Sequence, residues 1–118
     1  MGFLSKLFGS GKRSSKLPGH AVIVHFFYGS TNFQYVYALE DQLRSAISNS
    51  GAGEYERHEV AKDGSDGAYY MSCPDAEELF RVISPLLEAF SFTRGATVTL
   101  RYGPKKRGTP KRVFTLPD

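Results

Sequence analysis

Ala21-Val22-Ile23-Val24-His25-Phe26-Phe27-Tyr28 is the most apolar stretch of the chain. Its β-branched and aromatic residues lie between Pro18-Gly19 and Gly29-Ser30-Thr31-Asn32, and together they predict a central strand buried on both faces. The run is far shorter than the ~20 apolar residues that cross a bilayer, so no membrane-spanning helix is expected.

Downstream of this strand, Tyr35, Val36, Leu39, Leu43, Ala46 and Ile47 recur at helical spacing, and Ser50-Gly51 supplies a stop. Glu54 to Lys62 reads as extended chain. Asp63-Gly64-Ser65-Asp66-Gly67 then reads as a hairpin turn and Ala68 to Ser72 as the returning strand. Asp63 to Gly67 superficially resembles a calcium loop, but it lacks the ligand register, and Pro74 stands where the loop's last Glu belongs. Pro74, Asp75, Glu77 and Glu78 mark the first turn of a second helix, whose apolar face runs from Ala76 through Ile83 to Phe90. Pro85 within that helix predicts a kink or a break. Ala96, Val98, Leu100 and Tyr102 alternate with polar residues as a half-exposed strand. Arg112 to Leu116 should hairpin back beside it across the Gly103 to Lys111 loop.

The order is β-α-β-β-α-β with a terminal strand added. It predicts an α+β fold of the ferredoxin-like plait type: an antiparallel sheet, two helices on one face, and a C-terminal β-strand covering the edge left by the fourth. With 118 residues, one domain is expected, spanning residues 18–118. Residues 1–17 read as a flexible basic segment that opens with a short amphipathic turn, Phe3, Leu4, Leu7 and Phe8.

Charge is unevenly distributed. Residues 1–17 and 104–118 each carry +4, whereas residues 18–103 carry −5, which leaves a net +3. An acidic body between basic ends bears on partner choice, because clustered charge steers encounters within roughly a Debye length. The single cysteine cannot close an internal disulfide, so a cytoplasmic setting is the expectation.

Between Gly53 and Gly103 the chain carries G-E-Y-E-R-H-E, D-G-S-D-G-A-Y-Y-M, P-D-A-E-E-L-F and G-A-T-V-T-L-R-Y-G. These segments resemble a family of small bacterial α/β proteins of uncharacterised function. The resemblance implies a ferredoxin-like sheet and brings no activity with it. Arg57 and Ser72-Cys73 depart from that pattern, which has Gly and an aromatic-Gly pair there.

Phosphate-binding loops, nucleophile elbows, zinc-helix motifs and paired-cysteine motifs are all missing from the sequence. Cys73 stands just before a helix start, where backbone N–H groups can lower a thiol pKa, and His58 lies on the neighbouring strand. The pair forms the catalytic alternative. Glu54, Glu56 and His58 share a strand face by their spacing, but three ligands on one strand do not converge, so no metal or cofactor is expected. His25, which interrupts the apolar run, reads as a satisfied core or edge histidine. Glu40-Asp41 and Glu77-Glu78 read as solvated charge.

Lys105, Lys106, Arg107, Lys111 and Arg112, with Tyr28 and Tyr70 as stacking platforms, are the candidate binding residues for nucleic acid. Phe3, Leu4, Leu7 and Phe8 offer peripheral membrane contact. The leading expectation is a non-enzymatic interaction domain, immunity- or adaptor-like, that binds a protein partner and is able to form a homodimer. Nucleic-acid binding and a Cys73–His58 enzyme are the alternatives.

Overall fold

β1 (His20–Phe27) runs through the middle of the sheet and pairs antiparallel with a strand on each side. The computed structural model describes residues 19–118. The expectations for residues 1–17, including Phe3, Leu4, Leu7 and Phe8, lie outside the described residues.

After β1 come α1 (Gln34–Ser50), β2 (Glu54–Val60), β3 (Asp66–Cys73), α2 (Ala76–Glu88), a 3-10 turn (Ser91–Thr93), β4 (Thr97–Arg101) and β5 (Lys111–Thr115). The strands form one antiparallel sheet in the order β2-β3-β1-β4-β5. The fold is α+β, with five strands and two helices, as the hydrophobic periodicity implies. β5 pairs with β4 along its whole length, Thr97 opposite Thr115 and Arg101 opposite Lys111.

Alternation along the strands separates two faces. Val22, Val24 and Phe26 of β1, Tyr69, Met71 and Cys73 of β3, and Val98 and Leu100 of β4 point to the helices. There they bury against Val36, Leu39, Leu43 and Ile47 of α1 and Leu79, Ile83 and Leu87 of α2. Each of these side chains contributes roughly 1.5–3 kcal/mol of hydrophobic stabilisation before conformational entropy is set against it. Among the described residues the other face carries no helix.

Helix ends follow the sequence signals. Gly51 takes the left-handed conformation that closes α1, and its N–H donates to Ile47 O. The Asp75 carboxylate caps α2 by accepting from the N–H groups of Glu77 and Glu78. Pro85 does not break α2. It sits in the final turn, and the helix continues to Glu88.

The tip of the β2–β3 hairpin locks onto the β1–α1 loop. Tyr28 N–H donates to Ser65 O and Gly29 N–H to Gly64 O. Gly64 has φ +76°, and a Cβ there would fall 1.9 Å from Ser30 O, so only glycine fits.

Candidate functional site

The uncovered sheet face is built from the residues that alternate with the core. Across the sheet from β2 to β5 the register aligns Glu54, Ser72, Ala21, Arg101 and Lys111 in one row. Arg57, Tyr70, Ile23, Thr99 and Val113 form the next, and Glu59, Ala68, His25, Thr97 and Thr115 the third. Asp66 and Phe27 close the face at one end.

Its apolar side chains are spread from the centre to the edges and are in part exposed. Phe27 is 71% exposed and Val113 54%, beside half-buried Ile23 and Tyr70. The Arg57 guanidinium lies 4.1 Å from the centre of the Tyr70 ring. Burial, and then the Glu59 carboxylate, push the Tyr70 phenol above its ordinary value. His25 Nε2 lies 2.8 Å from the Asp66 carboxylate, and its ring packs edge-on against Phe27 at 5.1 Å.

Charge is mixed on this face: Arg57 Nε lies 3.0 Å from Glu59, and the basic loop after β4 folds back beside Gly19, where a Cβ would fall 3.2 Å from Pro104 Cα, so that Lys105 also helps hold the Glu59 carboxyl below its ordinary value. β2 contributes Glu54, Glu56 and Glu59, offset only by Arg57. β4 and β5 contribute Arg101 and Lys111, and the exposed loop residues Lys105, Lys106 and Arg107 follow Arg101. Arg101 is held in place by donating to Gly103 O and Gly19 O.

The nucleic-acid candidates are not brought together. Tyr28 lies beyond β1 on the helix side, where its ring packs against Phe26, Phe33 and Phe92 and its hydroxyl donates to Asn32 O. Tyr70 is on the opposite face. Arg112 turns to the helix side too, over the Phe114 ring and 3.5 Å from Glu77, while Lys111 remains on the uncovered face.

Cys73 and His58 are also apart. Cys73 is opposite His20 and His58 opposite Tyr69, four residues away along β3, or about 13 Å of strand. Cys73 is buried, and that burial pushes its thiol up to about 11, away from the thiolate a nucleophile needs. The helix start that should activate it is capped by Asp75, and His20 Nδ1 accepts from Ala76 N–H.

A β-bulge separates His58 from Glu54 and Glu56. Tyr55 pairs with Met71 but Arg57 with Tyr70, so Glu56 is the extra residue and the alternation reverses beyond it. Glu56 stays on the uncovered face, where it accepts from Ser72, and His58 turns toward α1. Among the described residues no group of three or more His, Cys, Asp or Glu side chains is placed to hold a metal ion.

His58 instead joins a cluster that sequence reasoning missed. Its Nδ1 and the Tyr55 hydroxyl both lie 2.6 Å from Glu40 Oε2, with Arg44 at 3.8 Å. Glu40 is therefore not solvated charge; its side chain is only 14% exposed. Burial by itself raises its pKa, but the hydroxyl of Tyr55, the imidazole of His58 and the Arg44 guanidinium together hold it below the ordinary carboxylate value. The same contact, added to burial, drives the Tyr55 phenol far upward. Chemically the cluster is a clamp between α1 and β2. The signal for it was present: Glu40 borders the Val36, Leu39, Leu43, Ile47 stripe on α1.

A pocket of about 160 Å³ between Leu87, Thr93, Arg94 and Leu116 is below the roughly 300 Å³ that small-molecule sites need. Among the described residues no helix is long and apolar enough to cross a membrane. No protein-family model, curated protein or solved structure matches the chain.

Proposed function

We propose that the chain is a non-enzymatic protein-interaction domain, adaptor- or immunity-like, built on a ferredoxin-like plait extended by β5. Its binding site is the uncovered sheet face. The observation that carries this reading is that Phe27 and Val113 are exposed, and Ile23 and Tyr70 half-buried, among charged side chains on a sheet face that no described helix covers. An apolar patch rimmed by polar residues is the signature of a docking surface, and Tyr and Arg are the residue types enriched at such contacts.

Protein fits better than nucleic acid because Tyr70 is the single tyrosine among the candidates that faces outward, and Arg57 already covers its ring. Acidic β2 also repels phosphate. In this reading the domain works in the cytoplasm, where the Cys73 thiol stays reduced.

The test is capture from the source organism's lysate with the tagged full chain and with a Phe27→Glu/Val113→Glu variant. Both positions are exposed, so neither substitution places a charge in the core. A stoichiometric protein, copies of this chain included, is expected with the native chain and lost with the variant. Equal retention by both overturns the reading, and so does capture of nucleic acid that falls away steeply with salt.

A further inference from the structure

We propose that the chain docks on an anionic membrane surface, its apolar N-terminal side chains entering the interface while the basic loop after β4 meets the lipid headgroups. The inference does not rest on the protein-interaction reading. Its surface is the end of the sheet at which β1 begins.

There the structure brings the two basic ends of the chain together. Residues 1–18 join the described domain at Gly19, and Gly19 lies against the loop, where a Cβ on it would fall 3.2 Å from Pro104 Cα. Its φ of +93° suits glycine. One guanidinium ties the two segments: Arg101 donates from Nη2 to Gly19 O at 3.1 Å and from Nε to Gly103 O at 2.8 Å. The +4 of residues 1–17 is thereby delivered beside exposed Lys105, Lys106 and Arg107. Carboxylates on this side already have partners. Glu59 has Arg57 and Lys105, and Glu77 accepts from Tyr102 with Arg112 3.5 Å away.

Nucleic acid answers basic charge, but it leaves the apolar residues of the N-terminal segment without a role. Phe3, Leu4, Leu7 and Phe8 are spaced to share one side of a helix, with Lys6 off that side. A bilayer interface takes both kinds of residue, apolar ones below the headgroups and basic ones among them. Neither signal suffices by itself, because a short apolar segment binds weakly and reversibly until a basic patch is added. Each Lys or Arg held near anionic lipid tightens association roughly fivefold. Residues 9–18 separate Phe8 from Gly19, and a stretch of that length spans at most about 35 Å. The apolar segment and the loop therefore reach the same patch of surface.

Co-sedimentation of the full chain with lipid vesicles tests this. At physiological salt the chain is expected to pellet with vesicles of phosphatidylcholine mixed with phosphatidylserine and to stay in solution with phosphatidylcholine alone. Phe3→Ser/Phe8→Ser should lower the affinity by about tenfold or more, and Lys106→Ala/Arg107→Ala, at two exposed loop positions, should do the same. Lys106→Arg/Arg107→Lys should bind as the native chain does, which separates lost charge from a damaged loop. Failure to bind the anionic vesicles overturns the proposal, and so does failure of this charge-retaining variant. Binding that ignores Lys106→Ala/Arg107→Ala overturns it too, because residues 1–17 would then act without the domain. A chain that instead retains a DNA duplex at the same salt, with Phe3→Ser/Phe8→Ser indifferent, is a nucleic-acid binder, and the membrane proposal fails.

Discussion

Glu40 holds two donors with one oxygen. The Tyr55 hydroxyl and His58 Nδ1 both depend on Oε2, in a place where water has little access. Glu40→Ala leaves both donors without their acceptor, and each such loss costs about 1–3 kcal/mol. Urea denaturation at pH 7 should show a destabilisation of that order. Because the Glu40 pKa is depressed in the folded protein, its contribution is fully present above the unfolded value of about 4.5 and is lost as pH falls through the folded value. The gap between the native chain and Glu40→Ala should therefore narrow below about pH 4.5, and a gap that persists there would refute the charge-based account. Spacing sets Glu40 beside the apolar stripe of α1 but gives no sign of its partners on β2. One extra residue at Glu56 reverses every later side chain on β2, and no residue in Glu54-Tyr55-Glu56-Arg57 is a Gly that would mark the bulge.

Elements were more legible than residues, since their signals repeat. The first strand, both helices, the hairpin and the final strand pair all follow from periodicity, with ends shifted by a few residues. Pro85 is the exception, because a proline costs most where its missing N–H and its ring meet a turn that must continue. In α2 only Leu86, Leu87 and Glu88 remain after it, and Leu87 is anchored in the core, so packing carries the helix past the defect. The cost persists all the same. The Arg81 carbonyl lacks its intrahelical donor, and Pro85 is exposed, so its ring buries nothing in return. Pro85→Ala should raise stability by about 1–3 kcal/mol, read from the denaturation midpoint at unchanged slope. Loss of stability would mean that the proline fixes the turn into Ala89 and Phe90.

On the scale of the whole molecule, the order β2-β3-β1-β4-β5 decides which backbone amides are sheltered. β1, β3 and β4 each have a strand on both sides, so their amides exchange with solvent only when the sheet comes apart. β2 and β5 each have one neighbour and leave half their N–H groups outside the ladder. Hydrogen exchange should be slowest in Val22–Phe26, Tyr69–Met71 and Val98–Leu100, and alternate residues of β2 and β5 should exchange early. The same experiment separates two kinds of association, since backbone N–H groups lie in the plane of the sheet and side chains stand out of it. Stacking through Ile23, Phe27 and Val113 leaves the β2 and β5 edges as open in a dimer as in a monomer. Pairing edge to edge would silence one of them. If copies of the chain associate through this face, exchange measured at low and at high protein concentration should therefore show unchanged rates along both edges; selective slowing of β2 or β5 would move the interface from the face to the edge.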